Sequence, residues 1–257
     1  MLLCVDIGNT NIVLGLWDGG EWLSHWRIRT DRDKMPDEYA VLLKALLAGR
    51  DYELRAISRV VMASVVPPLT TVFRKLFTSY VGAEPLVVGP GVRTGLRIRI
   101  DNPVELGADL VADAVAAYDR FRNVCIIVDF GTATTFSAVT ELGDFVGVAI
   151  ALGLGVSADA LASRTAQLPR VTLTPPPAAI GKNTVHSMQS GLVFGYVGLV
   201  DGLIRRIRAE LGGEAQVIAT GGLSSILAPL TNEIQVVDPW LTLEGLRLIS
   251  ELNMTGK

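Results

Sequence analysis

The chain has 257 residues, 49% hydrophobic and 19% charged, enough apolar material for a real core and too much for a disordered chain. A net charge of −3 gives no overall basic field for nucleic acid or an anionic lipid surface. Two cysteines set in apolar runs, two histidines and no C-x-x-C argue against a zinc centre, so Cys4 and Cys125 read as small buried hydrophobes.

The first element is CVDIGNTNIVLGLW (4–17): a strand, a turn carrying Asp6, Gly8, Asn9, Thr10 and Asn11, and a second strand. Asp6 interrupts the N-terminal apolar stretch, so no secretory signal is expected. Residues 27–34 mix charge signs and read as a solvated strand end. An amphipathic helix is predicted over 37–48, strands over 56–67 and 84–89, and a proline-started helix over 67–81. Residues 107–121 predict a helix with Val111, Val115 and Tyr118 on one stripe. A second hairpin opens at Val128. The apolar run 146–156 is too short for a bilayer, which takes ~20 residues. Helices follow over 159–168 and 187–211, with a proline-rich loop (172–181) between them. A strand over 215–222 ends in a glycine turn, and a helix over 242–252 closes the chain. This alternation predicts an α/β protein with mixed sheets covered by helices. The boundary is placed within or just after the long helix, giving domains 1–118 and 119–257. Without a disulfide framework the cytoplasm is the expected compartment.

The opening device occurs twice. VDIGNTNIVLGLWDG from Val5 aligns with VDFGTATTFSAVTELG from Val128, 123 residues on, so Asp6 matches Asp129 and Gly8 matches Gly131. Asn9, Thr10 and Asn11 then face Thr132, Ala133 and Thr134. This spacing, close to half the chain, points to duplication of one α/β unit. Glycine at the bend lets a ligand approach the backbone, and short polar side chains with exposed N–H groups suit phosphate oxygens. A carboxylate beside them suits a metal ion or a water. An ordinary tight turn also favours these residues, so one copy alone decides nothing. A third glycine turn, ATGGLSS (219–225), could lie beneath a flat ring such as adenosine or simply lead a helix capped by Ser224 or Ser225.

Other motifs fail. GLGVSA (153–158) matches the dinucleotide fingerprint, but PPPAA stands where the acid should follow. IGKNT (180–184) lacks the upstream glycine of a P-loop, and no G-x-S-x-G is present.

DIGNTN, GAD, VDFGTATTF, DALASRTAQLP, IGKNTVHSMQSG and ATGG appear in an order that resembles the type III pantothenate kinases over essentially the whole chain. The resemblance implies two duplicated RNase H-like domains of the actin-like ATPase and sugar kinase superfamily. It implies ATP-dependent phosphorylation of pantothenate, the first step of coenzyme A synthesis. It further implies a homodimer, magnesium, and a monovalent cation, potassium or ammonium. Asp6, Ile7, Gly8, Asn9, Thr10 and Asn11 would hold the ATP phosphates, Asp6 reaching magnesium through water. Asp129 would contact the monovalent cation and Thr132 a phosphate. Gly221 and Gly222 would lie by the adenosine. Gly107, Ala108 and Asp109 would approach pantothenate, with Asp109 as general base, and Thr184 would bind it from across the dimer. A carboxylate in reach of the attacking hydroxyl suffices as base, and a helix start keeps Asp109 ionised, although an acid there equally stabilises the helix.

The chain departs from the family pattern in its acid-binding half. Leu110 replaces the arginine that would pair with the pantothenate carboxylate, and Ile100 stands where a tyrosine often contacts substrate. Leu152, His186 and Ser137 replace a proline, a glutamate and an aspartate. Three readings follow: a working pantothenate kinase using Arg164 or Lys182 for the carboxylate, a kinase for another hydroxyl substrate, or a nucleotide-binding paralogue with little activity that serves as a regulatory or partner subunit.

Overall fold

The computed structural model describes residues 1–254. In chain order the first elements are β1 (Leu2–Ile7), β2 (Asn11–Trp17), β3 (Trp22–Arg29), α1 (Pro36–Ala48), β4 (Arg59–Ser64), α2 (Pro67–Leu76) and β5 (Leu86–Val87). There follow β6 (Arg97–Ile98), α3 (Ala108–Phe121), β7 (Cys125–Phe130), β8 (Ala133–Val139), β9 (Asp144–Leu152) and α4 (Leu154–Arg164). The remainder is α5 (Thr184–Gln189), α6 (Gly195–Glu210), β10 (Gln216–Thr220), α7 (Ser224–Leu227), β11 (Val236–Val237) and α8 (Leu241–Met254). π-helical turns, Phe77–Val81 and Ser190–Phe194, extend α2 and join α5 to α6.

Internal contacts group Met1–Gly95, Asp101–Ala116 and Leu241–Lys257 as one unit, and Leu96–Ile100 with Ala117–Trp240 as another. The first sheet runs β3-β2-β1-β4-β5, with β1 antiparallel to β2 and parallel to β4. The second runs β9-β8-β7-β10-β11 with the same senses, plus β6 beside β9. One strand order has thus been built twice, as the sequence repeat requires.

The repeat holds residue by residue in the first strand of each sheet. Leu3, Val5 and Ile7 enter a core with Tyr39, Leu43, Leu69 and Phe73 of α1 and α2. Ile126, Val128 and Phe130, each 123 positions later, enter a core with Leu154, Tyr196, Val200 and Ile204. Strand alternation sends Cys4 and Cys125 the other way, and both are buried. Burial pushes both thiols up, that of Cys125 to about 12, so neither is a poised nucleophile.

The hairpin turn breaks the ungapped alignment. Ile7 pairs with Ile12, leaving residues 8–11 between them, while Phe130 pairs with Thr134, leaving only 131–133. The first turn is one residue longer, so Ile12 corresponds to Thr134, and the sequence match of Asn11 with Thr134 is corrected by one position.

The closing helix α8, read from sequence as part of the second half, packs on β1, β2 and β4 of the first unit. Its Leu246 and Ile249 are fully buried. A Cβ on Gly245 would come within 2.9 Å of Ala112 Cα, so α8 crosses α3 backbone against side-chain-free backbone. Trp22 Nε1 donates to Glu244 at 3.1 Å, and the Arg247 guanidinium lies 4.9 Å from the Trp17 ring centre.

The helical stretch Thr184–Glu210 spans 27 residues with hydropathy 1.2, long and apolar enough to cross a bilayer by length and composition alone. Residues 183–200 carry no charge, but Ser187, Gln189 and Ser190 interrupt the apolar sequence, so it does not read as one apolar run. Tyr196, Val200 and Ile204 on its inner face belong to the core of the second unit.

Candidate functional site

In the first unit the β1–β2 turn sits at the carboxyl end of β1, beside the parallel strand β4 (Asp6↔Ala63, Ile7↔Ser64). Crevices at the carboxyl ends of parallel strands are where open α/β sheets take ligands. Ile7 is fully buried and its carbonyl accepts the Val65 N–H at 3.1 Å, so its side chain shapes the core rather than a ligand surface. Asp6 is half-buried on the opposite side of β1 from Ile7, while Asn9, Thr10 and Asn11 are exposed. The turn is braced from β3's exit. Thr30 Oγ1 donates to the Gly8 carbonyl at 2.7 Å, Thr30 N donates to the Thr10 carbonyl at 3.0 Å, and Arg32 donates to Asn9 Oδ1 at 2.8 Å. Sequence reading named the turn but not these braces, because they come from a segment about 20 residues downstream that carries no motif.

In the second unit Asp129 ends β7 in the same way, and its parallel neighbour across the ladder is Thr220 of β10. The glycine turn after β10 folds directly onto it. Gly221 has φ +87°, and a Cβ there would overlap Asp129 Oδ1 and lie 2.7 Å from the Phe130 backbone. Ser224 donates its hydroxyl to the Gly221 carbonyl at 2.8 Å, which closes this turn ahead of α7. The turn does lead a helix, but the expected serine cap is corrected: Ser224 is the first residue of α7, Leu223 stands at the cap position, and no side chain caps the helix. Gly153 is the residue that sequence reasoning missed. It donates its N–H to the Thr132 carbonyl at 3.2 Å, and a Cβ there would lie 2.7 Å from the Gly131 carbonyl oxygen. The signal existed in GLGVSA, where a strand does meet a helix at Gly153, with α4 starting at Leu154, five residues before the sequence-predicted helix start. Thr132, exposed at the tip, thus lies at the N-terminus of α4. The structure brings Asp129, Thr132, Gly153 and Gly221 together from four separate elements.

Both turns offer oxygen donors suited to hard cations, with Asp6 and Asp129 as the carboxylates. Among the described residues no group of three or more His, Cys, Asp or Glu could cage a metal ion. That donor set fits a cation held mostly by water and phosphate oxygens.

Asp109 lies in the first turn of α3 and is half-buried. Burial pushes its carboxyl above the usual aspartate range, opposed by the Leu110 N–H that donates to Oδ1 at 2.8 Å. The expectation that the helix start keeps it strongly ionised is therefore outweighed by desolvation. Gly107 leaves room for this carboxylate, which a Cβ at 107 would overlap. Ala108 is half-buried beside it, and Leu110 is 8% exposed, packed inward.

Thr184 opens α5 behind Asn183, whose side chain accepts the His186 N–H at 2.9 Å. It lines a groove of about 780 Å³ with Lys182, Asn183, Ser187, Leu161 and Leu168. Arg164 ends α4 and is not among the lining residues. Ile100 is half-buried in the second unit, just beyond β6, whereas Gly107 to Leu110 group with the first.

A family model described as type III pantothenate kinase matches residues 2–206. The type III pantothenate kinase of Moorella thermoacetica is 52% identical over 253 residues, covering 98% of this chain and 100% of its own. That of Geobacter sulfurreducens is 50% identical, covering 98% and 99%. A Sinorhizobium meliloti structure described as a 2-dehydro-3-deoxygalactonokinase superposes with TM-score 0.60 at 11% identity, covering 99% of this chain and 100% of its own, a likeness of fold.

Proposed function

Since the chain belongs to the type III pantothenate kinase family, we propose that it transfers the γ-phosphoryl group of ATP to the hydroxyl of pantothenate, in the first step of coenzyme A synthesis. The observation that carries this reading is the twice-built turn, with an acid at the carboxyl end of β1 and again of β7, each beside a parallel strand. Phosphoryl transfer asks mainly for positioning and charge neutralisation. Asn9, Thr10 and Asn11 orient phosphate oxygens at the first turn, where Gly8, its own N–H donated to the Asn11 carbonyl, keeps the bend open, and Thr132 does so at the second turn. Gly221 and Gly222 leave bare backbone for the adenosine. Magnesium and a monovalent cation, potassium or ammonium, supply charge neutralisation when bound, with Asp6 and Asp129 as their respective holders.

Asp109 takes the proton from the attacking hydroxyl, with Gly107 and Ala108 allowing close approach. Its raised proton affinity brings it nearer to neutrality than an ordinary aspartate, as suits a general base. Leu110 and Ile100 offer only apolar contact, so the substrate's carboxylate falls to Lys182 beside Thr184, contributed by the second copy in a homodimer. The enzyme works in the cytoplasm, where ATP is supplied. A coupled assay on the purified chain with ATP, magnesium, potassium and pantothenate tests this. Turnover that requires pantothenate and vanishes in Asp109→Asn is expected, and a chain that binds MgATP but never consumes pantothenate refutes it.

A further inference from the structure

The first phosphate turn carries its own cations. Arg32 donates to Asn9 Oδ1 at 2.8 Å, at the outer tip of the turn. Arg29 stands directly across the β2–β3 ladder from Asn11, so the two side chains share a face. Nearby Lys34 is neutralised by Asp31 at 2.7 Å, whereas no described carboxylate lies within ion-pair distance of Arg29 or Arg32. The segment bearing Arg32 is also held in place. Thr30 bonds both sides of the turn, Asp31 N donates to the Tyr39 hydroxyl at 3.0 Å, and that hydroxyl donates to the Asp31 carbonyl at 2.8 Å. Tyr39 is 2% exposed and anchored in the core. Two guanidinium groups thus flank a backbone turn on a braced segment, each keeping a rigid fork of donors for a phosphate.

Resting on the reading of 8–11 as the phosphate turn, we propose that Arg32 and Arg29 form a cationic clamp on the triphosphate tail, setting affinity for ATP rather than the chemical step. Asn9 orients Arg32, and Arg32 in turn holds Asn9 in register. Binding energy of this kind, present equally before and in the transition state, acts on KM and leaves kcat unchanged.

The test uses the purified full chain with calorimetry for MgATP and for adenosine, plus steady-state kinetics. Arg32→Ala is expected to weaken MgATP binding and raise KM for ATP by about tenfold. Arg29→Ala/Arg32→Ala goes further and flattens the dependence of ATP binding on salt. Adenosine affinity, KM for pantothenate and thermal midpoint stay as in the wild type, and kcat stays within about twofold. Arg32→Lys recovers only part of the loss, since it keeps the charge and loses the fork. Wild-type affinity and salt dependence in the double variant overturn the clamp while leaving the turn as phosphate site. A wild-type chain that binds adenosine and MgATP equally well overturns both. Parallel loss of adenosine binding or of thermal midpoint marks Arg32 as scaffold and overturns the clamp.

Discussion

Asp109 has two opposed influences on its proton, and burial wins over the Leu110 N–H. A carboxyl whose proton affinity is raised in the folded state favours folding when protonated, and that advantage is lost as pH rises through the raised value. At neutral pH the ionised group is a liability of the fold. Asp109→Asn is therefore expected to cut kcat by roughly 100-fold or more while leaving the protein as stable or more stable at pH 7. The stability gain should vanish below the ordinary aspartate range, which thermal melts across pH would show. A loss of stability at pH 7 that is absent in acid would contradict the assignment. In the wild type the acid limb of kcat is expected above the range of an unperturbed aspartate. Gly221 supplies a second prediction at this scale. Gly221→Ala places a Cβ against Asp129 and in a left-handed backbone that costs a non-glycine residue about 1–2 kcal/mol. The variant should melt lower and need more potassium for half-maximal turnover. Asp109 and Gly221 were both legible in the sequence as an acid at a helix start and a glycine after a strand. That Gly221 lies on Asp129 was not, because 92 positions separate them and only the β7–β10 ladder joins them.

Among the elements, the helices read most easily. Apolar periodicity gives α1 and α3 to within a residue of their observed ends. α4 begins five residues earlier than its pattern suggests, because its first turn continues the apolar run of β9 through the buried Leu154 and only the glycine at 153 separates strand from helix. The short strands β6 and β11 carry two residues each, too few for a period, and only their partners β9 and β10 make them strands. The turn lengths differ for a related reason, since register belongs to the ladder and not to either strand alone. α8 offers an element-scale prediction. Gly245→Ala forces its crossing with α3 apart, and overpacking of this sort costs about 1–3 kcal/mol. Denaturant unfolding should show that loss without a change in the site residues, and an unchanged midpoint would mean that the crossing relaxes freely.

At the scale of the whole molecule the chain is one design used twice, with its last helix returned to the first unit. Removing residues from Leu241 onward would uncover Cys4, Leu2 and the face of β1 that carries Asp6. The truncated chain is expected to lose MgATP binding together with cooperative unfolding of the first unit, measured by calorimetry and hydrogen exchange. The sequence by itself determined the duplication, the two acid-bearing turns and the family, because strand alternation and turn chemistry are local and repeat at one spacing. Tertiary structure alone decided which unit α8 completes, the one-residue difference between the turns, the crowding of Gly153 and Gly221 on the second turn, and the bracing of the first by Thr30 and Arg32. The turn lengths follow from ladder register, which neither strand carries alone; the other features are contacts between segments apart in the chain, and such packing leaves no period or motif in either partner.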